Sequence, residues 1–223
     1  MNSAASGPSA FLVVKAFCQH LRFAQFVRAA NSIAHAGEGR VVVAKPVHEV
    51  IAIEPGSVPA HLWIAEFPTR AKADAAWAKM KGQGLIASIT QDIVPVVLSM
   101  DAVPPMGLPD FIPTPRNVTA PESLMSPAYF LIEGSATDQA RMDQYRDILL
   151  PMMKERSAYY IVFELGGNVR VLSGQWSEAI LAISRWPSVV FAHDAWMAAR
   201  YQKDAIPLRL GIGKFSVLVA EGV

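Results

Sequence analysis

Apolar and polar positions alternate along the chain in two rhythms that recur in the same order. "FLVVKAF" near the N-terminus and "AYFLIEG" past the midpoint are short runs rich in β-branched and aromatic residues and read as strands. Each is followed by helical spacing. "RFAQFVRAANSIA" places Phe23, Phe26, Val27 and Ala30 on one stripe, and "DQARMDQYRDILLPMM" does so with Met142, Tyr145, Ile148, Leu149 and Met152. Thr137 or Asp138 is the expected N-cap of the second helix. Pro151 is expected to kink it, because the ring removes a hydrogen bond and crowds the preceding turn. "RVVVAK", "EVIAIE" and "HLWIAEF" then read as strands, as do "YYIVFE", "NVRVLSG" and "AILAISRW". A helix after each aromatic-Pro pair ("TRAKADAAWAKM", "SVVFAHDAWMAARY") leads to a last strand ("VPVVLSM", "KFSVLVA"). The order β-α-β-β-β-α-β, written twice, specifies an α+β unit with an antiparallel sheet and its helices on one face.

A shift of 119 positions places Phe11-Leu12 on Phe130-Leu131, Arg22 on Arg141, Gln25-Phe26 on Gln144-Tyr145, Val50 on Val169, Ile64 on Ile183, Pro68 on Pro187 and Trp77 on Trp196. One offset without gaps is expected to relate the halves throughout, which is the signature of a duplicated unit. Residues 10–100 should then superpose on 129–219 about a pseudo-twofold axis. Between the halves, residues 101–127 carry seven prolines, which forbid a continuous helix or central strand and mark a linker. The expected organisation is a first unit over 1–100, the linker over 101–127 and a second unit over 128–223.

The second unit resembles the domain of unknown function 1330 branch of the dimeric α+β-barrel superfamily, whose subunits are ferredoxin-like. The resemblance rests on "AYFLIEG", Tyr145, "VLSGQW" with Gly174, "WPS" at 186–188, "AWMAARY" ending in Tyr201, and "PLRLG" with Arg209. It covers residues 128–223. The first unit departs further, with Gly82 at the Tyr201 position and Thr90 at the Arg209 position, and the Gly-Gly such domains often carry before the second strand is missing from both halves. The resemblance implies two tandem ferredoxin-like units forming an intramolecular dimeric α+β barrel, an α+β fold in which two sheets pack face to face. The second apolar face of each sheet, carrying Leu62 and Ile64 or Leu181 and Ile183, requires such a cover.

Composition narrows the function classes. Of 223 residues, 52% are hydrophobic and 17% charged, with a formal net charge of +1, so the chain is core-forming and lacks the basic stripe of a nucleic-acid binder. Its apolar runs fall far short of the ~20 residues of a membrane span. The start "MNSAASGPSAFLVVKAFC" reads as a loose tail before a strand and not as a signal peptide. The lone Cys18 fits a reducing compartment, and a cytoplasmic location is expected. No nucleic acid or membrane partner is expected. The chain should form a pseudo-dimer within itself, with a small-molecule ligand and further self-association as open options.

No phosphate loop, nucleophile elbow or zinc helix motif occurs. His20, His35, His48, His61 and His193 fall at the 119 offset on Gln139, Lys154, Gly167, Ile180 and Asp74, so no histidine is paired between halves. No metal site and no cofactor are expected. Polar candidates concentrate in the second unit. Arg209 offers a fork of donors for a carboxylate or enolate, Tyr201 a phenol that donates a proton, and His193, three residues before Trp196, a base. Tyr145 and Trp196 are the expected ligand-contacting residues, although Trp196 and Trp77 also read as a shared core anchor. Glu133, Glu164 and Arg185 are strand charges that either line the barrel or face water. Two readings follow: a small cofactor-independent enzyme, of isomerase, cyclase or monooxygenase type, acting on an apolar or aromatic carbonyl compound, or a non-catalytic binding or assembly module.

Overall fold

The computed structural model describes residues 9–46, 50–52, 59–103, 108–121, 125–166 and 168–223. The first half runs β1 (Ala10–Ala16), α1 (His20–Ala36), β2 (Arg40–Pro46), β3 (Val50–Ala52), β4 (His61–Phe67), α2 (Arg70–Gly82), α3 (Leu85–Ile89) and β5 (Val96–Asp101). The second runs β6 (Ala128–Ala136), α4 (Gln139–Glu155), β7 (Tyr159–Leu165), β8 (Arg170–Ser173), β9 (Ile180–Trp186), α5 (Val189–Met197), a π-helical turn (Tyr201–Ala205), α6 (Ile206–Arg209) and β10 (Gly213–Glu221). Each aromatic-Pro-hydroxyl stretch ends a strand and starts a helix. Phe67 and Trp186 are buried at the strand ends, and the Thr69 and Ser188 hydroxyls accept from the backbone N–H of Lys72 (3.3 Å) and Phe191 (3.4 Å). Asp138 caps α4, accepting from the Arg141 backbone N–H at 3.0 Å, and α4 continues through Pro151.

Two five-stranded antiparallel sheets result, ordered β2-β4-β1-β5-β8 and β3-β10-β6-β9-β7. Their ladders do not run from one sheet into the other among the described residues, so no closed barrel forms. The sheets face each other, and each takes its fifth strand from the other half. β8 pairs with β5 in the first sheet (Leu98 opposite Val171), and β3 pairs with β10 in the second (Leu218 opposite Ala52). Phe11, Val13, Leu62, Ile64, Leu98 and Met100 pack between the sheets against Tyr129, Leu131, Leu181, Ile183 and Leu218. The outer faces bury a second cluster around Trp63 and Phe26 and a third around Phe130 and Trp186. The layers are therefore helices, sheet, sheet, helices. The Leu62/Ile64 and Leu181/Ile183 faces cover each other, as their apolar alternation requires.

The 119 offset holds for α1 and α4, β2 and β7, β4 and β9, and the starts of α2 and α5. It extends to detail. Left-handed backbone occurs at Glu38 (φ 59°) and Ser157 (φ 54°), and register shifts at Val41/Val43 and Tyr160/Val162. The gap-free expectation fails in two strands. Phe11 and Val13 face the other sheet, as do Tyr129 and Leu131, whereas Phe130 faces the helices, so β1 maps to β6 at 118. Leu98 and Leu218 share the inter-sheet face, while Val97 and Val217 face the helices, so β5 maps to β10 at 120. Side chains alternate faces along a strand, so a one-residue slip would turn every one of them over. The difference is absorbed in the β6–α4 connection and before β10.

With these offsets the contacts between halves are reciprocal. Val223 N–H donates to Val42 O at 3.2 Å, and Val103 N–H donates to Ile161 O at 2.8 Å; each residue of the second bond is the counterpart of one in the first. Ala102 N–H to Ser9 O and Gly222 N–H to Pro127 O, both 2.7 Å, are likewise equivalent. Contacts of this kind are reciprocal between the halves, as contacts about a twofold axis are. The proline-rich segment packs on the second half: Ile112 is buried in its outer core, and Tyr160 N–H donates to Pro113 O at 2.9 Å.

Candidate functional site

The sequence pattern predicts one helix from Ser188 to Tyr201, but the structure breaks it. α5 stops at Met197, Ala198 is extended (φ −58°, ψ 134°), and the chain resumes as the π-helical turn. The Gln202 side chain closes the break by donating to Trp196 O at 2.7 Å. In the first half α2 runs on to Gly82, the counterpart of Tyr201. Single π turns are rare and frequent at functional sites. Here the turn buries Tyr201, and α6, opened by Ile206-Pro207, places Arg209 beside it. Arg141 on α4 fixes α6 by donating to Pro207 O (2.6 Å) and Leu210 O (3.0 Å).

Three groups converge. The Tyr145 and Tyr201 hydroxyls are 2.9 Å apart, and Arg209 Nη1 donates to Tyr201 at 3.2 Å and to Tyr145 at 3.4 Å. All three residues are at most 7% exposed. A guanidinium at this depth needs compensation. The phenol oxygens supply part of it, and the rings of Phe215 (4.2 Å to the centroid) and Tyr145 (5.3 Å) supply more. Trp196 stacks obliquely on Tyr201 with centroids 5.0 Å apart and bridges to Phe130 at 6.4 Å. Beyond the cluster a groove of about 280 Å³ opens between α4 and the outer face of the second sheet. Its walls are largely apolar, among them Ile132, Leu149, Phe163 and Phe215; Tyr145 and Arg209 form its polar depth, and Gln139, Asp143 and Arg146 its polar rim. Burial pushes the Tyr160 phenol far above its ordinary value, with the neighbouring Tyr145 adding to the rise and Arg209 opposing it, so Tyr160 stays protonated on the wall.

The structure thus brings together Tyr145, Trp196, Tyr201 and Arg209 and leaves His193 out. His193 is exposed on α5, because the break after Met197 turns Tyr201 inward while the His193 face of α5 stays in solvent. In the first half Thr90 ends α3 with its hydroxyl donating to Ile86 O at 2.8 Å. His61 is buried against Cys18 O (2.9 Å) and stacks on Phe23, with the His20 ring 5.9 Å away. His48 lies outside the described residues. Among the described residues no three His, Cys, Asp or Glu side chains are grouped to hold a metal ion, and no helix is long and apolar enough to cross a membrane. Burial raises the Cys18 thiol above its ordinary value.

One constellation escapes the sequence reading. Lys15 Nζ donates to both oxygens of Glu133 at 2.7 Å, and the Trp176 indole N–H donates to Glu133 at 2.8 Å. Lys15 and Glu133 are both buried, on the wall of a cleft of about 1200 Å³ at one end of the inter-sheet space. The 119 offset aligns Lys15 with Gly134 and hides the pairing; the 118 offset of the first strands would have exposed it. Arg185 sits over the Tyr159 ring at 5.8 Å, and Glu164, half-buried on β7, has its carboxyl raised by burial.

The family model described as Domain of unknown function (DUF1330) matches residues 127–223. No curated protein matches the chain. Among solved structures, a mutant chlorite dismutase from Candidatus Nitrospira defluvii is 10% identical, with 96% of this chain and 91% of that chain covered at a TM-score of 0.56. Another mutant of the same protein is also 10% identical, at 99% and 92% coverage and a TM-score of 0.55. An anthrone oxidase-like protein is 11% identical, at 100% and 94% coverage and a TM-score of 0.49. At these identities the likeness is one of fold alone, and it rests on the two chlorite dismutase structures.

Proposed function

We propose that the chain is a tandem duplication whose second half is a small cofactor-independent enzyme acting by proton transfer on an apolar or aromatic carbonyl compound held in the groove beneath α4. The observation that carries the reading is that Tyr145 and Arg209, both buried and hydrogen-bonded to Tyr201 behind them, line the largely apolar groove. A few convergent polar groups in an apolar recess orient a small ligand by its single oxygen. Near 280 Å³ the groove suits a molecule of one or two rings. A carbonyl oxygen at the polar end accepts from Arg209, whose charge stabilises the developing enolate. Asp143, the carboxylate among the groove-lining residues, takes the proton from the adjacent carbon and returns it to a second carbon while the Tyr145 hydroxyl and Arg209 hold the enolate oxygen, giving an isomerisation that restores Asp143. A second reading, a non-catalytic small-molecule-binding module, is favoured by the way the two phenols and the guanidinium already satisfy one another.

The test is native mass spectrometry of the full chain after incubation with a small-molecule cell extract. A retained adduct that disappears in Arg209→Met and persists in His193→Ala supports the groove. No adduct, or one that Arg209→Met leaves unchanged, overturns it.

A further inference from the structure

Lys15 and Glu133 are counterparts. Lys15 lies opposite Leu62 on β4 and Val96 on β5, and Glu133 lies opposite Leu181 on β9 and Ser216 on β10. Leu62 and Leu181 are equivalent at 119, and Val96 and Ser216 at 120, so the two positions are the same place in the two units. A residue that touches its own equivalent sits on the twofold axis. The Lys15–Glu133 contact at 2.7 Å therefore marks that axis, and it is buried, with side chains 10% and 7% exposed.

An axial position constrains partner choice as no other can. If two copies of the same unit paired through this face, the axis would bring ammonium against ammonium or carboxylate against carboxylate at contact distance, on side chains with little exposure to solvent. Only units of opposite axial charge fit. Stability alone does not explain such a pair, because a buried ion pair is commonly matched or exceeded by apolar residues of similar volume. The surrounding inter-sheet residues, Phe11, Leu62, Leu131 and Leu181 among them, are apolar and similar in the two halves, so they offer little discrimination of their own. A polar device that excludes the wrong partner at some cost is how closely related surfaces are kept apart.

We propose that the Lys15–Glu133 pair is the specificity element of the inter-sheet surface: the partner that surface fits is a unit of opposite axial charge, which is the other half of the same chain, and pairing with the same half of a second chain is excluded. The inference does not depend on the groove or its chemistry.

The experiment uses the full chain, unfolded in denaturant, refolded at high concentration and analysed by size exclusion with light scattering and native mass spectrometry. Wild type and the charge swap Lys15→Glu/Glu133→Lys should give the same small dimer fraction, with the swap melting somewhat lower because the Trp176 indole N–H loses Glu133 as its acceptor, but well above the single changes. The neutral pair Lys15→Met/Glu133→Leu should fold with comparable melting temperature but give a several-fold larger dimer fraction, because like halves of two chains are no longer kept apart. Lys15→Glu or Glu133→Lys alone should be strongly destabilised or fail to fold. A neutral pair with the wild-type dimer fraction overturns the proposal, and so does a charge swap as damaged as the single changes.

Discussion

Replacing Tyr201 by Phe removes one hydroxyl and almost no volume. That hydroxyl accepts from Arg209 at 3.2 Å and shares a hydrogen bond with Tyr145 at 2.9 Å, all at residues no more than 7% exposed. A hydrogen bond to a charged group contributes ~1.5 to 3 kcal/mol, and water has little access to replace it at this depth. Because the ring stays, no cavity term adds to the loss. For a chain of this length each kcal/mol moves the melting temperature by ~2 to 4 °C, so the expected fall is ~3 to 12 °C. Urea unfolding should show a lower midpoint with an unchanged slope, as the surface exposed on unfolding is the same. Tyr145→Phe should behave alike, and the double change should cost less than the sum, since both hydroxyls serve one network. A loss below ~0.5 kcal/mol for Tyr201→Phe, the level of an ordinary surface change, would show that the buried guanidinium does not depend on this hydroxyl and would refute the reasoning.

Three further outcomes are expected. Ser188→Ala and Thr69→Ala should each destabilise by ~1 kcal/mol in urea titrations through loss of an N-cap. Gly174→Ala should cost more than ~2 kcal/mol by the same titration, since φ is +73° and a Cβ would lie 2.7 Å from Pro95 O, forcing the segment after β8 off the first half. Cys18, whose thiol burial raises above its ordinary value, should react with iodoacetamide at pH 8 far more slowly in the folded chain than in urea, as followed by mass spectrometry.

Element order was legible because each element carries its period: two for "HLWIAEF", 3.6 for the Phe23–Phe26–Ala30 stripe, and hydroxyl caps after Pro68 and Pro187. The exchange of β3 and β8 between halves was not, because a strand's own pattern shows which faces are buried and not which neighbour supplies the ladder. The one-residue slips in β1/β6 and β5/β10 were hidden for a related reason. All of β1, and most of β6, is buried on both faces, so the alternation that would betray a slip is missing. Losing the slip meant losing Lys15 as the counterpart of Glu133. Of the cluster beside the groove, Tyr201 and Arg209 were readable as residues retained in one half only. Their convergence on Tyr145, and the exclusion of His193, depend on the break at Ala198, which no Pro or Gly at that point announces.

The central claim, that Arg209 and Tyr145 at the polar end of the groove polarise a bound carbonyl, is tested most directly by solvent exchange. Phenylacetone, a one-ring ketone without charge, is incubated with the chain in D2O, and loss of its benzylic proton signal is followed by NMR. The account predicts that wild type accelerates exchange over buffer and that Arg209→Met loses ~10²-fold or more of the acceleration, the scale of one oxyanion donor, while His193→Ala keeps it. Exchange no faster than in buffer, or equal in wild type and Arg209→Met, would contradict it.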